Sequence, residues 1–235
     1  MLNFDPARFL RIQTGTVTIA RDLGTLVGRL VAEGADSLFF MGSGGAGILM
    51  QPATDLMRRA SNLPCHNVLC AEIVLTGHVA LGSKSVVIMP SLSGTTKESI
   101  AAMDYVKARG ATVISITGHA ETPLAKGADH SFVNFAEDDT SCEMFYVTSL
   151  VAALSAMQAR GERSDYDRIS GELAGLPQQL LAVKQAFEPR ADALAQAIAG
   201  DGWHILTGSG AAWPEAYYYG MCILEEMQWI HTRPV

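Results

Sequence analysis

The sequence predicts an α/β fold: a three-layer sandwich in which helices cover both faces of a five-stranded parallel sheet. Three observations predict it. Short apolar runs alternate with helical segments between residues 35 and 160, the pattern of a sheet buried on both faces. Glycine- or hydroxyl-rich turns follow two of those runs, at the strand ends where such sheets hold ligands. The stretch "SLFFMGSGGAG" at 37–47 then returns as "WHILTGSGAAW" at 203–213, which predicts a duplicated unit.

Taken in order, the first element is a helix over "VTIARDLGTLVGRLVAEG", with apolar residues at three- and four-residue spacing and Gly34 as its stop. "SLFFM" is the first strand and "GSGGAG" the turn after it. "ILMQPATDLMRRASN" continues as a helix, where Pro52 fits the first turn or introduces a kink. "HNVLCAE" is the second strand and "KSVVIMP" a strongly marked third. "TKESIAAMDYVKARG" is an amphipathic helix closed by Gly110. "TVISITG" and "SFVNF" complete the five strands, and "CEMFYVTSLVAALSAMQARG" is a long, mostly buried helix.

These signals divide the chain into a helical segment (1–34), a first α/β domain (35–160), a helical connector (161–200) and the start of a second copy (201–235). In the repeat, Gly42, Ser43 and Gly44 are answered by Gly208, Ser209 and Gly210; chance similarity of two glycine turns is the alternative. The second copy holds one strand and one helix, which cannot bury both faces without neighbours. Truncation is the expected reason, ahead of packing on another subunit.

Composition narrows the function. Hydrophobic residues make up 49% and charged residues 17%, a globular rather than disordered balance, and the net charge of -7 argues against nucleic acid as the main partner. No window approaches the roughly twenty uninterrupted apolar residues of a membrane span. The N-terminal "MLNFDPARFLR" lacks the basic and apolar regions of a signal peptide. Cys65, Cys70, Cys142 and Cys222 show no C-x-x-C spacing, so reduced thiols in the cytoplasm are expected. The six histidines, His66, His78, His119, His130, His204 and His231, show no zinc spacing and read as loop or capping residues; no metal is expected.

Chemistry concentrates in three stretches. In "SLSGTT", Ser91, Ser93, Thr95 and Thr96 stand between a strand end and a helix start, with Gly94 allowing close backbone approach. Unpaired N–H groups and the helix dipole suit an anion there, and the hydroxyls add directional donors to phosphate oxygens. A Ser/Thr N-cap is the competing explanation, although one hydroxyl satisfies a cap. "GSGGAG" fits the dinucleotide spacing at Gly42, Gly44 and Gly47, but no acidic residue stands where the ribose contact belongs, and Glu72 is a poor candidate. Ser43, Gly44 and their N–H groups read better as a second wall of the phosphate pocket. In "WPEAYYYGMCILEEMQWIHTRPV", Pro214 starts a helix that runs to about Ile230, with His231 near its end. Glu225 and Glu226 lie among apolar residues, and a carboxylate so held suits proton transfer; a surface pair is the equal alternative.

The stretches "FFMGSGGAG", "AEIVLTGHVALGSKS" and "SVVIMPSLSGTTKES" together resemble the sugar isomerase (SIS) domain, a flavodoxin-like five-stranded parallel sheet that binds phosphosugars. The resemblance implies phosphate contacts from Ser91, Ser93 and Thr96, with Ser43 from the glycine turn. "AYYYGMCILEEMQWIHTRPV" resembles the start of the second SIS domain in fructosamine-6-phosphate deglycases and, more distantly, the isomerase half of glucosamine-6-phosphate synthase. That likeness implies Glu226 as catalytic base, no metal or redox cofactor, and a homodimer or larger assembly. The histidine those families use later is not reached here, and no glutaminase portion is present. A deglycase releasing glucose 6-phosphate and an amine is the expectation. An aldose–ketose or amino-sugar phosphate isomerase, or a non-catalytic phosphosugar sensor, is the alternative.

Overall fold

The computed structural model describes residues 4–136 and 141–235. Helix α1 (Pro6–Ala32) starts eleven positions earlier than its apolar periodicity suggested, because Asp5 caps it. The Asp5 carboxylate accepts from the N–H groups of Ala7 and Arg8, at 2.8 and 3.2 Å, and Pro6 takes the first helical position.

Five strands follow: β1 (Ser37–Gly42), β2 (Cys65–Leu69), β3 (Ser85–Ser91), β4 (Thr112–Thr117) and β5 (His130–Val133). All pairs are parallel and the spatial order is β2-β1-β3-β4-β5. Between them run α2 (Gly45–Ile48), α3 (Gln51–Ala60), α4 (Cys70–Thr76), α5 (Lys97–Lys107) and α6 (Pro123–Gly127), and after β5 comes α7 (Ser141–Ala159). Pro52 sits in the first turn of α3 and causes no break. The expected strand "HNVLCAE" ends at Leu69; from Cys70 the chain is helical, with Cys70 and Ile73 buried one turn apart.

Every residue of β1 and β3 is buried, which explains their continuous apolar runs. Successive residues serve opposite layers. Leu38, Phe40, Val86 and Ile88 pack against α1, α3 and α7, whereas Phe39, Met41, Val87 and Met89 pack against α4, α5 and α6. Helix α7 is long and apolar enough to cross a membrane by length and composition, and 61% of that stretch is buried inside the protein, against α1, α3 and the sheet.

The connector consists of α8 (Tyr166–Glu172) and α9 (Leu176–Ile198). Arg21 of α1 donates to the Ser170 carbonyl at 2.9 and 2.6 Å, and Lys184 pairs with Glu143 of α7 at 2.9 Å. Beyond it, β6 (His204–Leu206) pairs in parallel with β7 (Thr232–Pro234) across α10 (Trp213–Tyr218) and a π-helix (Tyr219–Met227). The helix expected to reach Ile230 stops at Met227. Trp229 adopts φ +60° and the chain turns into β7, so His231 precedes a strand rather than ending a helix.

Candidate functional site

In the order β2-β1-β3, the chain leaves β1 for one edge and returns on its other side at β3. That reversal opens a crevice beyond the strand ends between β1 and β3. The turn after β1 and the turn after β3 meet there, around a cavity of about 480 Å³. Ser43, Ser91, Ser93 and Thr96 line it together, with Ser99 from α5 and His119 from the loop after β4. No lysine or arginine is among its lining residues.

The β3 turn is organised by its own hydroxyls. Ser91 Oγ accepts from the Gly94 N–H at 3.1 Å and lies 3.3 Å from Thr96 Oγ1. Ser93 Oγ accepts from the Thr95 N–H and hydroxyl at 3.3 and 3.1 Å, which leaves its own hydrogen free to donate. Gly94 has φ +63°, and a side chain there would collide with Thr122; its carbonyl accepts from Leu124 at 3.1 Å, pinning the turn to α6. Gly44, Gly94 and Thr95 therefore shape or flank the pocket rather than line it.

Thr96 is the N-cap residue of α5, yet its hydroxyl makes no capping bond. The N–H groups of Lys97, Glu98 and Ser99 consequently have no acceptor among the described residues. Capping thus does not account for the hydroxyls of this turn. Two of the lining residues carry a buried hydroxyl without a nitrogen or oxygen partner among the described residues, Ser43 and Ser99. The thiol of Cys70 borders both, and burial pushes its pKa up, so it remains a weakly bonding S–H. The arrangement offers neutral donors converging on a small anion.

The carboxylate pair divides differently from expectation. Glu225 is the half-buried member and is occupied: its Oε1 accepts from the Thr232 N–H at 2.8 Å and hydroxyl at 3.1 Å, tying β7 to the helix. Glu226, the catalytic base implied by the resemblance, is exposed and is not among the cavity-lining residues. It stands one turn beyond Cys222, whose thiol is raised in pKa by burial and then by the Glu226 charge. Cys222 and Tyr218 pack on Gly45, so the π-helix rests on the same turn that carries Ser43. The Tyr218 hydroxyl is 2.9 Å from Cys142 Sγ, joining this helix to α7.

Sequence reasoning missed Ser99 and His119 as lining residues. Ser99 sits three positions after Thr96, on the same side of a helix, and His119 follows β4 at the ligand edge of the sheet. Both positions were available signals.

The family model of the SIS domain matches residues 33–160. The chain is 27% identical over 225 residues to fructosamine deglycase FrlB of Bacillus subtilis (strain 168), covering 94% of this chain and 68% of that one. It is 24% identical over 207 residues to fructoselysine 6-phosphate deglycase of Escherichia coli O157:H7, covering 88% and 60%. Among solved structures, the C-terminal domain of glucosamine-fructose-6-phosphate aminotransferase from Francisella tularensis shares the fold, with a TM-score of 0.83 at 16% identity over 97% of this chain and 67% of that one. The chain therefore spans 60 to 68% of the length of these relatives. With the match covering more than half the chain, and a five-stranded parallel sheet that gathers its hydroxyl-lined turns at the β1–β3 crevice, the chain belongs to the SIS domain family.

Proposed function

We propose that this chain binds a phosphosugar and serves a deglycase reaction, hydrolysing a fructosamine 6-phosphate to glucose 6-phosphate and a free amine. One observation carries the binding half: a 480 Å³ cavity at the β1–β3 crevice lined by the hydroxyl residues Ser43, Ser91, Ser93 and Thr96, beside first-turn amides of α5 that have no acceptor among the described residues. Neutral donors of this kind hold a phosphate monoester, and the helix dipole of α5 adds to them. The names of the two curated relatives support the deglycase half.

Seating the phosphate among Ser43, Ser91, Ser93 and Thr96 positions the far end of an open-chain sugar. Glu226 then removes a proton at C1 of the ketoamine, giving an enolamine, and returns it at C2, giving the imine of glucose 6-phosphate. Water hydrolyses the imine and frees the amine. This chemistry calls on no metal or redox cofactor. A homodimer or larger assembly in the cytoplasm belongs to the same proposal.

The test supplies fructosyl-amino-acid 6-phosphates and measures glucose 6-phosphate and amine. Release of both is expected, with Glu226→Gln abolishing turnover while glucose 6-phosphate still binds. Interconversion of ketose and aldose phosphates without amine release would move the chain to the isomerases. A sensor reading has one observation in its favour, because Glu226 is exposed and outside the cavity lining. Tight binding with no turnover on any of these substrates would establish it.

A further inference from the structure

Away from the β1–β3 cavity, three rings cluster at the β2 edge of the sheet. Phe39 of β1 and His66 of β2 are register partners with ring centroids 4.7 Å apart. His78, in the segment between α4 and β3, closes on Phe39 at 5.1 Å and on His66 at 4.3 Å. Both imidazoles are half-buried, and His66 Nε2 is buried with no hydrogen-bond partner among the described residues. His78 Nδ1 accepts from the Ala80 N–H at 3.2 Å, so that nitrogen carries no proton. Neutral imidazoles pack against Phe39 and each other, whereas two imidazolium ions at this separation repel with little water to screen them.

We infer that His66 and His78 form a pH-sensitive latch, which fastens residues 77–84 to the sheet edge at neutral pH and releases them in acid. Gly77 ends α4 with φ +68°, and the next residue but one, Val79, stands fully exposed, so His78 is the side chain that ties the start of the segment inward. Protonating His78 at Nδ1 replaces the acceptor for Ala80 with a second donor and breaks that bond. Protonating His66 sets a charge beside Arg58 of α3; burial, then the His78 and Arg58 charges, hold its pKa below the ordinary 6.5. The other groups around the pair do not offset this. Burial pushes the Cys65 thiol up to about 12, so it stays neutral, and Tyr105 of α5, which adjoins Gly77, carries Arg109 over its ring at 3.4 Å. Glu72 is exposed in the first turn of α4, away from His78, and Asp36 and Lys84, of opposite sign, border the same cavity at the far end of the segment. Lifting the segment returns both rings to water, where histidine titrates at its ordinary value. Closure is therefore fully favoured above pH 6.5 and weakens as pH falls from there through the lowered value.

Amide hydrogen exchange tests this at Ala80, Leu81 and Gly82, whose N–H groups donate to His78 Nδ1, the His78 carbonyl and Ser85, with Ile114 of β4 as reference. Rates are read as protection factors, so the intrinsic pH dependence of exchange cancels. Protection in the segment should fall about tenfold between pH 7.5 and 5.5, the effect of one proton, while Ile114 stays protected. His66→Phe keeps a ring beside Phe39, and His78→Asn keeps a side-chain acceptor two residues before Ala80; neither replacement titrates. With both changes, protection should no longer depend on pH. Proton NMR of the unaltered protein needs no variant, and His66 should titrate below 6.5 in it. Constant protection in the unaltered protein, an equal fall at Ile114, an unchanged pH dependence in the double variant, or an ordinary titration of His66 each overturns the inference.

Discussion

The two G-S-G turns share a left-handed glycine and have opposite surroundings. Gly44 and Gly210 share a left-handed conformation, with φ +54° and +56°. A side chain on Gly42 would come within 2.5 Å of the Gly47 nitrogen, and one on Gly208 would collide with the Ala212 carbonyl. Yet β1 is buried at all six positions while none of the three residues of β6 is buried. Ser43 Oγ is buried at the edge of the β1–β3 cavity; Ser209 is exposed, bordering a separate cavity with Arg58 and Asn67. The local sequence sets the turn. Whether the turn can hold a ligand is decided by the neighbouring strand, since β1 has β3 and its hydroxyls alongside, whereas β6 pairs with β7.

The largest expected effect tests the burial half of that contrast. Gly42→Ala forces backbone against backbone in the main core and should cost about 3 kcal/mol. Gly208→Ala makes a similar clash in the small β6–β7 unit, so its cost should fall there. The tryptophans separate the two, because all three (Trp203, Trp213 and Trp229) lie beyond residue 200. Urea unfolding followed by circular dichroism should shift strongly for Gly42→Ala, and tryptophan emission should shift more than circular dichroism for Gly208→Ala. Equal shifts in both probes for both variants would mean that the two regions share one core.

Next in size is the ligand half. Ser43→Ala should weaken glucose 6-phosphate binding about tenfold, or roughly 1.4 kcal/mol, while Ser209→Ala leaves it unchanged. Equal weakening by the two would place the ligand against both turns and remove the distinction.

The layered core could be read from the sequence because burial on both faces leaves an unmistakable mark: "KSVVIMP" has no polar face to give up. The hydroxyl loop was equally plain, since hydroxyls crowded after a buried strand have few structural uses. The start of α1 was overlooked although Asp5-Pro6 is a cap followed by a first-turn proline, a signal of two residues that periodicity averages away. Cys70 was read as strand because an apolar residue fits a strand end and a helix start equally well. The fate of the glutamate pair could not be read at all. The π-helix widens each turn and changes which positions share a face, and Glu225 is chosen by Thr232, on a strand that the sequence did not announce.

That bond yields a smaller prediction within the second region. Glu225→Gln keeps the shape but loses the charge that strengthens two hydrogen bonds from Thr232, a cost of about 1 kcal/mol. Amide exchange at Thr232 and Val235 should quicken several-fold while amides of β1 stay protected. If β7 amides exchange no faster, the carboxylate is not what holds that strand.

The smallest effect concerns how the second region docks on the first. Glu215 of α10 has its pKa raised above the ordinary 4.5, by burial and then by the charge of Glu143 on α7. More than a third of Glu215 still reaches water, so the consequence is modest. Tyr146 and Lys184 also face this pair; Lys184 is engaged with Glu143 at 2.9 Å, and no ion pair to Glu215 is present among the described residues. A carboxyl with a raised pKa binds its proton more tightly when folded. Its stabilising contribution is therefore complete below pH 4.5 and fades as pH rises through the raised value. Tryptophan-detected urea midpoints should accordingly fall over that interval in the unaltered protein. Glu215→Gln, which cannot ionise, should show a shallower fall; the same slope in both would mean that the α7–α10 contact is set by the Tyr218–Cys142 bond and apolar packing alone.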